Sequence, residues 1–171
     1  MTEILKPIPE NMPDDLKALQ QWVLWRRERH EHAGRWTKRP YNPSQPHQRA
    51  KTNDPATWGT FGQCLRVFQG NGGFSGIGFV FSESDPFAGV DLDKCILPGG
   101  GLEASAAQIV ERLNSYTELS PSGSGLHIIM KAKLPPSGRR KGTVEMYDQG
   151  RYFTMTGHIW KPESRSHVPK N

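Results

Sequence analysis

Phe87-Ala88-Gly89-Val90-Asp91-Leu92-Asp93 is the stretch on which the fold and the chemistry of this chain turn. Its apolar lead-in marks a strand. Along a strand, residues i and i+2 point to one face. Asp91 and Asp93 therefore project together, while Val90 and Leu92 enter the core. Two neighbouring carboxylates repel, and burying both is costly without a cation. A hard divalent ion with oxygen ligands removes that cost. A metal site and a polar strand end both fit these two residues.

Working outward, Gly76-Ile77-Gly78-Phe79-Val80-Phe81 is a strand, and Ser84-Asp85-Pro86 breaks it, so that the Asp-bearing strand returns as its hairpin partner. Residues 103–114 form an amphipathic helix with Ala106, Ile109, Val110 and Leu113 on one side. Strands follow at 116–119, 126–132 and 144–147. After the Gln149-Gly150 turn, 151–156 completes a last hairpin. Upstream, Pro13 and the acids Asp14 and Asp15 open a helix through Gln20. Trp22-Val23-Leu24-Trp25 begins a strand that runs out through Arg26, Arg27 and Arg29. It turns at His32-Ala33-Gly34 and returns over 35–41. A second helix starts at Asn53-Asp54-Pro55 and carries Trp58, Phe61, Leu65 and Phe68 as far as Gly70. The expected fold is α+β, a mixed and mostly antiparallel sheet with helices packed on it. The unit of Asp91, the 103–114 helix and His127 resembles half of an RRM/ferredoxin-like sheet, preceded by a smaller N-terminal α/β half.

Three further features bear on chemistry. Ser120-Pro121-Ser122-Gly123-Ser124-Gly125-Leu126-His127 places small residues, which allow close backbone approach, before a strand that opens with histidine. The N–H groups of such a loop can form an anion-binding concavity. A hairpin loop with a structural histidine is the plain alternative. In Val144-Glu145-Met146-Tyr147-Asp148, either acid could join the aspartates. Period-2 alternation favours Glu145, and Asp148 falls at the Gln149-Gly150 turn, where it caps. Residues 25–51 hold eight Lys/Arg with Trp25, Trp36 and Tyr41 interleaved, and Arg139-Arg140-Lys141, which follows Pro135-Pro136-Ser137-Gly138, is expected on a mobile loop. Cations with aromatics make a single-strand binding groove, whereas a solvated face with core aromatics is the plain alternative. His30-Glu31-His32 lies at a turn and reads as surface.

The chain has 171 residues, enough for one core without staples. It carries 22 Lys+Arg against 17 Asp+Glu. The balance is uneven: residues 1–51 hold ten basic against six acidic groups, 52–135 five against eight, and 136–171 seven against three. An acidic middle inside basic ends suits a cation site beside a phosphate-rich ligand. Cys64 and Cys95 are too few and too far apart for a disulfide framework or a Cys-cluster zinc site. No apolar run approaches the roughly 18 residues of a membrane span, and no signal-type stretch opens the chain. A cytoplasmic protein without membrane partners is expected, with residues 1–160 as one core of two lobes and 161–171 as a polar tail or linker.

Taken in order, Gly89-Val90-Asp91-Leu92-Asp93, Ser122-Gly123-Ser124-Gly125-Leu126-His127 and Val144-Glu145-Met146-Tyr147 resemble the archaeo-eukaryotic primase superfamily. Its pattern runs hydrophobic-Asp-x-Asp/Glu, small-x-His, hydrophobic-Asp/Glu. Gln21-Trp22-Val23-Leu24-Trp25, Lys38-Arg39-Pro40-Tyr41-Asn42-Pro43, Asp54-Pro55-Ala56-Thr57-Trp58 and Gly150-Arg151-Tyr152-Phe153 look like the primase-polymerase domain that begins many phage and plasmid replication proteins. The resemblance covers residues 13–160. It implies that Asp91, Asp93 and Glu145 are catalytic and bind Mg²⁺ or Mn²⁺ as a two-metal site. It implies that Ser122, Ser124, Gly125 and His127 hold the triphosphate of a dNTP or NTP, that Arg151 adds a phosphate ligand and that Tyr152 senses the sugar. Single-stranded DNA template and primer would meet Lys38, Arg39, Tyr41, Arg139, Arg140 and Lys141. In a longer protein a helical priming domain and a helicase would follow.

The implied activity is template-dependent nucleotidyl transfer with pyrophosphate release. The main alternative is a non-catalytic single-stranded DNA-binding module, which has no need of acids facing DNA phosphates. A glycosyltransferase also uses Asp-x-Asp, but no strand-rich nucleotide-binding half precedes the pair. A metal-dependent nuclease usually adds a lysine beside its acids, and alternation points Lys94 to the opposite face.

Overall fold

Among the described residues nine strands make two sheets, β2-β1-β3-β9 and β5-β6-β4-β8-β7. They are β1 Trp22–Arg29, β2 Trp36–Tyr41, β3 Gly76–Phe81, β4 Phe87–Leu92, β5 Tyr116–Leu119, β6 Leu126–Lys131, β7 Arg140–Lys141, β8 Val144–Tyr147 and β9 Arg151–Met155. The helices are α1 Asp14–Lys17, α2 Phe61–Gln69 and α3 Ala104–Leu113. This computed structural model describes residues 3–136 and 139–161. Ser137 and Gly138 of the basic loop, and all of the expected tail except Lys161, lie outside the described residues.

The α+β, mostly antiparallel class holds: the strand pairings among the described residues are antiparallel. The ferredoxin-like half is present. β4 and β5, joined through α3, both pair antiparallel with β6 between them, so they run parallel as a split βαβ unit. Alternation then divides the second sheet. Val90, Leu92, Leu126 and Ile128 face α3, where Ala106, Ile109, Val110 and Leu113 cover them. The opposite face sends Phe87, Ile129, Tyr116 and Tyr147 into the core of the first sheet, against Phe79, Phe81 and Phe153.

Two expected hairpins do not form. β3 and β4 are consecutive yet belong to different sheets, and so are β8 and β9. β9 returns to pair with β3. These two crossings bring the acidic strand β4 beside Arg151, Tyr152 and Phe153 of β9. The expected second helix also divides. Pro55–Thr57 is a separate 3-10 turn, capped by Asp54 accepting from the Ala56 N–H. α2 restarts at a capping box, in which Gln63 N–H donates to Thr60 Oγ1 and Thr60 N–H donates to Gln63 Oε1. Arg140 and Lys141 form a short edge strand on β8 in place of the expected loop. No helix among the described residues is long and apolar enough to cross a membrane.

Candidate active site

The register of the second sheet aligns one charged residue from each strand. Asp91 on β4 lies opposite His127 on β6 and opposite Glu145 on β8. His127 lies opposite Glu118 on β5, and Glu145 opposite Arg140 on β7. The transverse row therefore reads Glu118, His127, Asp91, Glu145, Arg140, on one face. Directly opposed side chains have Cβ atoms about 5 Å apart. His127 Nε2 is 3.7 Å from Asp91 Oδ1, and its Nδ1 is 3.7 Å from Glu118 Oε1. Arg140 Nη1 is 3.2 Å from Glu145 Oε1. Asp91 and Glu145 are the one like-charge neighbour pair in the row.

Glu118 is fully buried. Its charge is met by the N–H groups of Thr156 (2.9 Å) and Gly157 (2.7 Å) and by the Tyr116 hydroxyl (2.7 Å). Burial, reinforced by the Glu118 charge, pushes the Tyr116 phenol well up. Glu118 went unnoticed in the sequence. The available signal was an acid inside the short apolar strand Tyr116-Thr117-Glu118-Leu119, on the same face as the coming histidine's partner positions.

The adjoining row on this face is Tyr116, Ile129, Gly89, Tyr147. A Cβ on Gly89 would stand 2.6 Å from Cζ of Phe153 and 2.6 Å from Cζ of Phe81. The missing side chain is thus the space in which Phe153 sits. Phe153 in turn stacks on His127 at 4.5 Å and 19° between planes. His127 is buried, with its Nδ1 outside hydrogen-bond distance of any partner among the described residues. Its ring is fixed by packing and by the two flanking carboxylates.

A pocket of about 210 Å³ opens on the row, lined by Lys38, Asp91, His127, Glu145, Arg151 and Tyr152 together with neighbouring β9 and β8 residues. Burial raises the Asp91 carboxyl. His127 pulls it back down, Asp93 raises it, Lys38 lowers it and Glu145 raises it. Desolvation of its ammonium, with the Arg27 charge, lowers Lys38 against the pull of Asp91 and Asp93. A lysine thus stands beside the acids, delivered by β2 of the other sheet, although Lys38 counts as exposed over its whole surface. Tyr152 lies over Gly78 and donates its hydroxyl to the Lys38 carbonyl at 2.8 Å. The Arg151 guanidinium lies over the Tyr147 ring at 5.0 Å, and the Tyr147 hydroxyl donates to Glu145.

The other expected residues fall outside this pocket. Asp93 sits in the exposed turn after β4, where its N–H still reaches Thr143 O at 3.0 Å. The Ser122–Ser124 hydroxyls bond each other at 2.8 Å. The N–H groups of Gly123 and Gly125 donate to Ser120 within the same loop. Gly125 is needed because a Cβ would stand 2.6 Å from Leu92 O, so this small-residue loop approaches β4 itself. Tyr41 is buried and donates to Glu28, which also pairs with Arg39 at 3.3 Å. Arg139 pairs with Asp148 at 2.6 Å, and Asp148 accepts from the Leu134 N–H rather than capping the Gln149-Gly150 turn. Lys141 is exposed on β7.

The donor set suits a hard cation: oxygen ligands, a like-charge pair, and a carboxyl raised by burial and by two acids. Among the described residues no three Asp, Glu, His or Cys side chains are gathered as a ready-made metal cluster. Glu145 is held instead by Arg140 and Tyr147.

No protein-family profile matches the chain. Over 155 residues, 85% of its length, the chain is 37% identical to a Nitratiruptor phage NrS-1 protein named DNA primase-polymerase. It spans 20% of that protein's length. The chain is thus related by sequence, over most of its length, to a phage primase-polymerase, the group that its motifs resemble.

Proposed function

We propose that this chain is the nucleotidyl-transfer core of a primase-polymerase, joining nucleotides to a primer 3′-hydroxyl under direction of a template. Asp91 and Glu145 carry the proposal. They are neighbours in register, and they open into a pocket whose other charged walls, Lys38 and Arg151, are cationic. Paired carboxylates suit a divalent cation, and the cations around them suit a polyphosphate. The 37% identity to a protein named DNA primase-polymerase supports the same assignment.

In the transfer, the primer oxygen forms a bond to the α-phosphorus. The bond from that phosphorus to the bridging oxygen breaks, and pyrophosphate leaves with the electron pair. The hydroxyl proton passes to solvent. Asp91, Asp93 and Glu145 would hold Mg²⁺ or Mn²⁺, which when bound supplies charge stabilisation to the attacking and leaving oxygens. Arg140 is largely exposed, so its pairing with Glu145 costs little to exchange. His127, fixed by Phe153, offers a rigid donor edge to a phosphate oxygen, and Arg151 and Lys38 add positive charge. The Ser122 and Ser124 hydroxyls would have to turn from their contacts with each other and with Ser120 to reach the triphosphate. Tyr152, anchored on Lys38, forms a wall where the sugar would lie. A helical priming domain and a helicase, in a longer protein, would supply initiation and unwinding.

Primer extension on a primed single-stranded template, with dNTPs or NTPs and Mg²⁺ or Mn²⁺, tests this. Wild type extends. Asp91→Ala and Asp93→Ala, shown folded by circular dichroism, lose activity by about a hundredfold or more. Undiminished extension by these variants would remove the acids from the reaction. Absent extension by wild type, with salt-dependent DNA binding retained, would favour a binding module instead.

A further inference from the structure

The β1–β2 hairpin sorts its basic residues by face. On one face Glu28 takes Arg39 at 3.3 Å, Arg49 at 3.7 Å and the Tyr41 hydroxyl. Arg26 lies over the rings of Tyr41 (5.1 Å) and Phe74 (4.6 Å) and donates to the Gly72 and Gly73 carbonyls. That face is closed upon itself. On the other face the cross-strand pairs are Arg29 with Trp36 and Arg27 with Lys38, and no strand position there holds an acid.

Trp36 is 48% exposed, the one large aromatic so exposed among the described residues. The Arg27 guanidinium lies 4.7 Å from its ring centroid. Lys38, two residues along the same strand and face, stands in the acid pocket. About 7 Å of strand separates the two positions. An indole with cations beside it, on a hairpin where no other large hydrophobic among the described residues is exposed, offers one face to a flat ring and positive charge to a phosphate backbone. A protein partner would need apolar contact that this strip lacks.

We propose that Trp36 is a stacking platform for a base of single-stranded nucleic acid, braced by Arg27 and flanked by Arg29. The bound strand runs along β2 to Lys38 and the acids. That last direction rests on the nucleotidyl-transfer proposal; the stacking does not.

The full chain is titrated with oligo-dT, without metal or nucleotide, and its tryptophan emission is followed. Trp22 and Trp25 are buried and cannot stack on the strand, whereas Trp58 and Trp160 are partly buried against the core, so the quenching that reports on Trp36 is the part lost in Trp36→Phe. Binding quenches the wild type, Trp36→Phe loses most of the quenching while still binding, and Trp36→Ala binds roughly tenfold more weakly. Arg29→Ala makes the slope of log K against log salt shallower by about 0.7. Because Trp36 is exposed, these variants keep the wild-type melting temperature. Quenching unchanged in Trp36→Phe, or affinity within twofold in Trp36→Ala, overturns the platform. Quenching that is lost in Trp36→Phe supports the platform even if the wild type extends no primer; in that case only the transfer proposal falls. Primer extension by a wild type whose quenching survives in Trp36→Phe overturns the platform alone.

Discussion

A methyl group at position 89 would close the space that Phe153 fills. With Phe153 Cζ and Phe81 Cζ both 2.6 Å from that position, neither ring can yield without shifting the other, since they pack edge to face at 4.9 Å. Gly89→Ala is expected to lower stability by about 1–3 kcal/mol, measured as a fall in denaturation midpoint. It also displaces Phe153 from the His127 ring. A midpoint unchanged within error would mean that Phe153 has other room. At this scale the sequence was informative where period two applied. Asp91, His127 and Glu145 each sit on a strand whose alternation is plain, and they do fall in one row. From sequence, Lys38 and Arg151 read as template and phosphate contacts. Their place beside the acids depends on how two sheets meet, which no local pattern encodes. Tyr41, read as a stacking aromatic, alternates to the closed face of its hairpin.

Between elements, Asp148 is the main pin of the connection from β6 to β8. It holds Arg139 at 2.6 Å and the Leu134 N–H at 3.0 Å. Burial alone would raise its carboxyl. The Arg139 hydrogen bond, the Leu134 N–H and the charges of Arg139 and Lys133 outweigh it and leave the pKa below the usual range. A carboxyl lowered in the folded state adds stability that is present above its unfolded pKa, about 3.9, and is lost as pH falls through the folded value. Asp148→Asn is therefore less stable than wild type at pH 7, by on the order of 1–3 kcal/mol. The deficit shrinks toward pH 2, which urea unfolding at a series of pH values would reveal. A deficit independent of pH would assign the loss to packing instead. Elements also explain where sequence reading failed. Strands adjacent in sequence usually pair, so 76–81 with 87–93 and 144–147 with 151–156 were expected as hairpins. Both pairs instead split between sheets, because Phe87 and Tyr147 on one side and Phe79 and Phe153 on the other share one apolar cluster. The break in the second helix was legible in Thr60-Phe61-Gly62-Gln63, a capping-box spacing that the run of aromatics obscured.

For the whole molecule the issue is whether the two sheets fold as one unit, since the pocket takes Asp91, His127 and Glu145 from one and Lys38, Arg151 and Tyr152 from the other. The largest core cluster contains Phe87 and Ile129 of the second sheet among residues of the first, so loss of either sheet exposes apolar surface on its partner. That coupling makes a single cooperative transition the expected behaviour. Two buried, unpaired cysteines report on it separately. Cys64 lies in the cluster of the first sheet and Cys95 in the cluster beneath α3. Burial pushes the Cys64 thiol up to about 12 and raises that of Cys95, so both are unreactive while folded. Thiol labelling across a urea series, with each site quantified by mass spectrometry, is expected to give one midpoint for the two. If Cys95 labelled at clearly lower urea than Cys64, the α3-backed sheet would open independently. The acid row would then be a module that docks onto Lys38 and Arg151, and the pocket would exist only while that docking lasts.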